Sequence, residues 1–370
     1  MSDLDLATVE GVLVYLLDTP FASDAVTPLT GGFGNYAFRV HLRTPYDGRR
    51  TVVLKHAKAY VPGLRTLALS LDRQIYEVAA LERVKELLPP DSLLSVPEVL
   101  RFDEDANAII MSDCGEGIYT LKQLLQSHTP SAKIAREIGE ALGVFIGRLH
   151  SRGASDRDFL DTFQGNVDGR KTSAFVTYGR LVSTFTTDQL PMLSDPPFEL
   201  PEGRLEAISA VATKTINGML TTDETVVMGD FWPGNVLVSL RRDDGDEAAV
   251  ERIYVVDWEM TKPGLAGLDV GQFCAELLLI CRFNPWGEDA ASAVMASFLQ
   301  AYRGVYPVDL LGAKTALVHI GAHLIAWTPR IPWGTKEKIR EVVQEGVAYL
   351  VDGAQLDEDY IRESVVGALL

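Results

Sequence analysis

Cysteine is scarce: Cys114, Cys274 and Cys281 are the only three in 370 residues. An odd count without CxxC spacing speaks against a disulfide framework and against a cysteine-built zinc site. Cys274 and Cys281 fall seven positions apart in an apolar stretch and read as small core residues. Positive charge is also short, with 34 Lys and Arg against 51 Asp and Glu and a net charge of −17. Nucleic acids and anionic membrane surfaces call for a basic face. Neither is expected as a partner, and an anionic ligand must be held by local cations, backbone N–H groups or a metal. The run near AELLLICRF is too short to span a bilayer. The opening MSDLDLATVEGVLVYLLD lacks the basic stretch of a signal peptide. A reducing compartment, the cytoplasm, is the expected location. No GxxxxGK[ST], GxSxG or HExxH occurs, so a P-loop, a hydrolase elbow and a zinc-protease helix find no support.

The chain that remains is ordinary in composition, 47% hydrophobic and 23% charged, and long enough for one large domain or two lobes. Residues 4–17 read as an amphipathic helix. VTPLTGGFGNYAFRVHL reads as strand, Gly-rich turn and strand, TPYDGRR as a turn and TVVLKHA as a third strand. SLDRQIYEVAALERVKELL has helical spacing, with Asp72 near its start and Pro89 and Pro90 past its end. SVPEVLRFDEDANAIIMSDCGEG reads as two strands around a turn, ending at a Gly-rich joint. Beyond about residue 118 the pattern is helical, except around TVVMGDFWPGNVLVSL and RIYVVDWEM. The expected fold is α+β: a β-rich lobe with one helix over 1–115 and a mostly helical lobe over 116–370.

Those two β segments carry the chemistry. Read as a two-stranded ribbon, they bring Asp230, Asn235, Asp257 and Glu259 to one end. One carboxylate can take a hydroxyl proton, while an amide oxygen and further carboxylates can hold Mg2+, a hard cation that favours a few oxygen ligands. Phosphoryl transfer needs that layout. Asp and Asn beside Gly or Pro also serve as plain turn residues; it is the pairing of the segments that favours chemistry. Upstream, Lys55 lies in an apolar strand and Glu77 on the next helix, a pair able to orient phosphates. The turn holding Gly32, Phe33 and Asn35 includes GxGxxA, but a strand-like YAFRVHL follows where a dinucleotide fingerprint opens a helix. A Gly-rich hairpin over phosphates fits better, although taken alone the segment reads first as a plain hairpin turn. The backbone of IIMSDCGEG, at Met111 and Asp113, can pair with an adenine edge. His319 and His323 lie four apart among apolar neighbours without a third ligand and read as core histidines. Among the tryptophans, Trp232 and Trp258 sit inside the motifs and are the candidates to lie near the site.

The order GGFGN, VVLK, Glu77, IIMSDCGEG, MGDFWPGN, VVDWE resembles the aminoglycoside phosphotransferase and choline kinase superfamily, small-molecule kinases with a bilobal protein-kinase-like fold. Within it the chain resembles methylthioribose kinases and, more closely, the fungal 4-hydroxytryptamine kinase group, through GGFGN, TPYDG, VVLKHA, SVPE, GNVDGRKTS, VVMGDFWPGN, IYVVDWE and GLDVGQF. The likeness runs over nearly the whole chain. It implies ATP and Mg2+ as cofactors and a small-molecule alcohol as substrate. By the same likeness Asp230 is the catalytic aspartate that accepts or orients the substrate hydroxyl; Asn235, Asp257 and Glu259 hold metal; Lys55 and Glu77 form the phosphate-orienting pair; and Asp269 is structural. A hydroxytryptamine-like amino alcohol, methylthioribose and an aminoglycoside are the acceptors it suggests; a nucleotide-binding pseudokinase is the competing class. One departure concerns the loop: many members read His-Gly-Asp where this chain has Met228-Gly229-Asp230, which puts its rigidity in question.

Overall fold

The computed structural model describes residues 4–30, 32, 34–62, 64–127, 130–241, 248–355 and 357–370. It divides into two compact units, Met1–Glu86 with Val96–Gly117, and Leu87–Ser95 with Ile118–Leu370. Residues 87–95, read from the sequence as part of the first lobe, pack with the second, where Leu94–Ser95 pairs in parallel with Ile253 and Tyr254.

The first unit is built on a five-stranded antiparallel sheet. Its spatial order is Ser23–Leu29, Asn35–Tyr46, Arg49–Ala57, Ala108–Ser112, Val99–Asp103. Alternation sets its inner face: Phe38, Val40, Val52, Leu54, Ala108 and Ile110 pack with Leu6, Val12, Leu16 and Phe21. The helix supplying Val12 and Leu16 covers only Val9–Leu16, shorter than expected, because Thr8 caps it by accepting from the Gly11 N–H. TPYDGRR turns as the Asp-Gly pair requires, with φ of 48° at Asp47 and 77° at Gly48. The next helix is Arg73–Lys85.

In the second unit, helix Ala132–Ser155 lies against Glu288–Val305 along Gly139, Gly143 and Gly147. A Cβ on Gly143 would collide with the Phe298 carbonyl and the Tyr302 N–H, so glycine sets the approach of the two helices. The most apolar long helix, Leu310–Arg330, is 67% buried within this unit. The two-stranded ribbon expected on either side of residues 241–251 forms, but the strand before the loop has a partner of its own. Thr225–Val227 pairs with Lys262–Gly264, whereas Val236–Arg241 pairs with Ala249–Val255 in a four-stranded sheet. The Asp230 loop therefore runs from one sheet to the other. Of the charged connection at 241–251, residues 242–247 lie outside those described.

Candidate active site

The loop of residues 228–235 leaves the Thr225–Val227 strand and is held from below by Asp269, near the start of helix Ala266–Phe283. One Asp269 oxygen accepts the Met228 N–H at 2.7 Å and the other accepts the Gly229 N–H at 2.9 Å. His150 Nε2 stands 3.3 Å from the same carboxylate, and its Nδ1 meets the Tyr302 hydroxyl at 2.8 Å. All three side chains are buried. Loop rigidity, in question without a His before Gly229, is thus supplied from another helix. Gly229 adopts φ 80°, and a Cβ there would strike Lys262 Nζ and the Met260 carbonyl. Burial pulls the Lys262 ammonium down to about 8; its Nζ donates to that carbonyl at 2.9 Å.

Asp230 follows, with both carboxylate oxygens engaged: Gln272 Nε2 donates to Oδ1 at 2.8 Å and Asn235 Nδ2 to Oδ2 at 3.0 Å. Burial raises the Asp230 carboxyl to about 7, with the nearby Asp257 charge adding to the effect. Asn235 sits in the Pro233–Asn235 turn and also donates to the Asp230 carbonyl at 3.0 Å. Its amide nitrogen is thereby committed, which leaves Oδ1 as the atom it can offer a cation. Asp257 comes just after the Ala249–Val255 strand with φ 68°, a left-handed conformation that Asp tolerates better than most residues. Glu259 is buried beside it in sequence, and Asn166 Nδ2 donates to the Glu259 and Thr261 carbonyls. An amide oxygen and two carboxylates make a hard, oxygen-only donor set that suits Mg2+. Trp258 departs from expectation. It is fully buried, donates from Nε1 to the Val255 carbonyl at 3.0 Å and packs edge-on against Phe145, so it belongs to the core and not to a substrate surface.

The first unit carries the other predicted residues. Lys55, paired in register with Ala37 and Ile109, is buried, and its Nζ lies 2.7 Å from both Glu77 carboxylate oxygens. Gln74 Nε2 steadies the same strand by donating to the Lys55 carbonyl at 3.3 Å. Gly32 is exposed; Phe33 lies outside the described residues. Asn35 opens its strand, and its Oδ1 accepts from Arg73 at 3.3 Å. Met111 is buried in strand Ala108–Ser112, opposite Val53 and Val99. Asp113 is spent on structure. Arg39 grips it with two hydrogen bonds of 2.6 and 2.9 Å and also donates to the Gly115 carbonyl. Burial would raise the Asp113 carboxyl, but Arg39 outweighs it and holds the group below the usual range. What Asp113 can offer a nucleotide is its backbone.

Sequence reasoning missed Arg73 and Gln272. Arg73 is buried and donates to the carbonyls of Gly34, Lys58 and Ser70, tying the Gly-rich turn to the helix. Its signal was a cation in the first turn of a helix, where the dipole disfavours it. Gln272 lies three residues after Asp269, so helical spacing alone puts both on the face toward the loop. His319 and His323 are buried, as read: one meets the Tyr178 hydroxyl at 3.0 Å and the other the Glu276 carboxylate at 2.9 Å. Burial drives the His319 imidazole down to about 3, which keeps it neutral.

Residues 25–311 match the model of the phosphotransferase enzyme family. The chain belongs to this family. It is similar to the 4-hydroxytryptamine kinase of Psilocybe cubensis, 32% identical with 94% of this chain and 93% of that one covered. The Psilocybe cyanescens protein of that name is 33% identical over 93% and 92%. Among solved structures, a streptomycin–ATP–APH(2")-IIa ternary complex aligns with a TM-score of 0.51 at 16% identity, covering 93% of this chain and 99% of that one. The phosphotransferase is a small-molecule kinase, and its fold is the protein-kinase-like one of that neighbour, a sheet-rich unit followed by a mostly helical one.

Proposed function

We propose that this phosphotransferase uses ATP and Mg2+ to phosphorylate a hydroxyl group of a small amino alcohol of the hydroxytryptamine type. The observation that carries the reading is Asp230, a half-buried carboxylate fixed by Gln272 and Asn235 on a loop whose backbone Asp269 immobilises. Asp230 then orients the acceptor hydroxyl and takes its proton. Lys55, aligned by Glu77, holds phosphate oxygens of the donor; the backbone at Met111 and Asp113 meets the base. Asn235, Asp257 and Glu259 would hold the metal. Bound magnesium would offset the charge of the donor phosphates. Holding such groups in place is most of what this chemistry asks of a protein. The acceptor class is supported by the two 4-hydroxytryptamine kinases, each matched along more than nine-tenths of the chain. Intact Lys55, Asp230, Asn235 and Asp257 favour turnover over a silent nucleotide-binding role.

ADP release with Mg-ATP tests the reading against 4-hydroxytryptamine, choline-like amino alcohols, methylthioribose and an aminoglycoside. Turnover is expected with the first, and its loss on chelation with return on added Mg2+. Turnover on methylthioribose or an aminoglycoside alone would replace the acceptor; none on any member of the panel would overturn the amino-alcohol assignment.

A further inference from the structure

The catalytic loop borders a cation site that the chain fills with its own side chain. Lys122 Nζ stands 4.1 Å from the Trp333 ring centroid and 5.1 Å from that of Trp232. It donates to Glu276 Oε2 at 3.0 Å. Glu276 is only 4% exposed, and its other oxygen meets His323 at 2.9 Å. Trp333 stacks on Phe283, and its Nε1 is buried without a hydrogen-bond partner among the described residues. Two indole faces and a buried carboxylate around one ammonium form a recognition site for an organic cation.

Its position relates it to Asp230. Trp232 lies two residues beyond Asp230. Gln272, which donates to Asp230, and Glu276, which pairs with Lys122, are four residues apart on helix Ala266–Phe283. They share one face, about 6 Å apart along the axis. Lys122 comes from the short helix Leu121–Ser127, and its side chain keeps 21% exposure.

We propose that the Lys122 ammonium is an internal stand-in for the acceptor's amine, and that a cationic amino alcohol binds by displacing it from Trp232, Trp333 and Glu276. The inference rests on the reading of Asp230 as the group that meets the acceptor hydroxyl. The exchange conserves charge: one ammonium leaves Glu276 as another arrives, and Lys122 regains water on its flexible stem. A neutral alcohol cannot make that trade, since removing Lys122 would strand a buried carboxylate. The pair thus selects acceptors that carry an ammonium as well as a hydroxyl on a flat, apolar body.

Calorimetric titration of the full chain without nucleotide tests this, with 4-hydroxytryptamine and neutral 4-hydroxyindole as probes. Lys122→Met keeps the stem and removes the competitor, so amine affinity should rise about tenfold while 4-hydroxyindole binding stays within about twofold. Lys122→Arg keeps a competitor and should bind the amine no better than the native chain. A purely structural Lys122 would weaken binding of both probes when lost. If the Met form does not fold, Lys122→Gln is read the same way. Amine affinity equal to or below native in the uncharged variant, or no amine binding in any form, overturns the proposal. Turnover on 4-hydroxytryptamine with unchanged affinity in the variant would defeat this inference alone. The affinity gain without turnover on any alcohol would defeat only the phosphotransfer reading.

Discussion

At the scale of single residues, the site is a set of polar groups whose partners fix them before any substrate arrives. Arg39 and Asp113 show how such a pair depends on pH. The Asp113 carboxyl is held below its ordinary value, so its contribution to stability is present above the unfolded value near ~3.9 and is lost as pH falls through the folded one. Arg39→Met should cost about 2 kcal/mol at pH 7. In urea titrations the gap between variant and native chain should narrow as pH drops below about 4. A gap of constant size would mean that the loss came from packing instead. Asp269 offers a second case. Replaced by Asn, it keeps one acceptor oxygen for two backbone N–H groups, and the change should cost about 2–3 kcal/mol. The turnover number should fall with it, because the Met228–Asp230 backbone loses its support. Native turnover in Asp269→Asn would show that the loop is held by other means.

At the scale of elements, helix Ala132–Ser155 reaches its partner Glu288–Val305 only because glycines line the seam. Gly143→Ala raises helix propensity by up to ~1 kcal/mol, yet overpacking against the Phe298 and Tyr302 backbone should make the net effect destabilising by about 1–3 kcal/mol. Thermal unfolding reads the sign directly, and a stabilised variant would contradict the packing. Much of this architecture was legible in the sequence. Alternation marked the strands of the first unit, the Asp-Gly pair marked a hairpin, and helical spacing marked Arg73–Lys85. The pairing of Lys55 with Glu77 was also legible, since each stood out in its own element. What escaped was strand pairing near the loop. Val236–Arg241 pairs with Ala249–Val255, as the hairpin connection between them suggested, but nothing local says that Thr225–Val227 pairs with Lys262–Gly264. Trp258 misled for a related reason: position inside a motif carries no information about which face a side chain takes. Arg73 and Gln272 act through contacts set by the fold; a cation in a helix's first turn hinted at the one, and spacing from Asp269 at the other.

At the scale of the whole molecule, acidity and function are compatible because the charges that matter are local. The chain carries −17 overall, yet Lys55 is buried against Glu77, and Glu276 is buried against Lys122; in the proposed reading the first pair serves the donor and the second the acceptor. The family match, the 4-hydroxytryptamine kinases and the order of loop, acid and amide all bear on one claim, that Asp230 serves an acceptor hydroxyl. The most direct test follows ATP-dependent phosphorylation of 4-hydroxytryptamine by the native chain and by Asp230→Asn, with the product identified by mass. The account predicts a phosphorylated product from the native chain. It also predicts at least about a hundredfold loss of turnover in the variant, roughly 3 kcal/mol, without loss of thermal stability. Turnover in Asp230→Asn within a few-fold of native would contradict it.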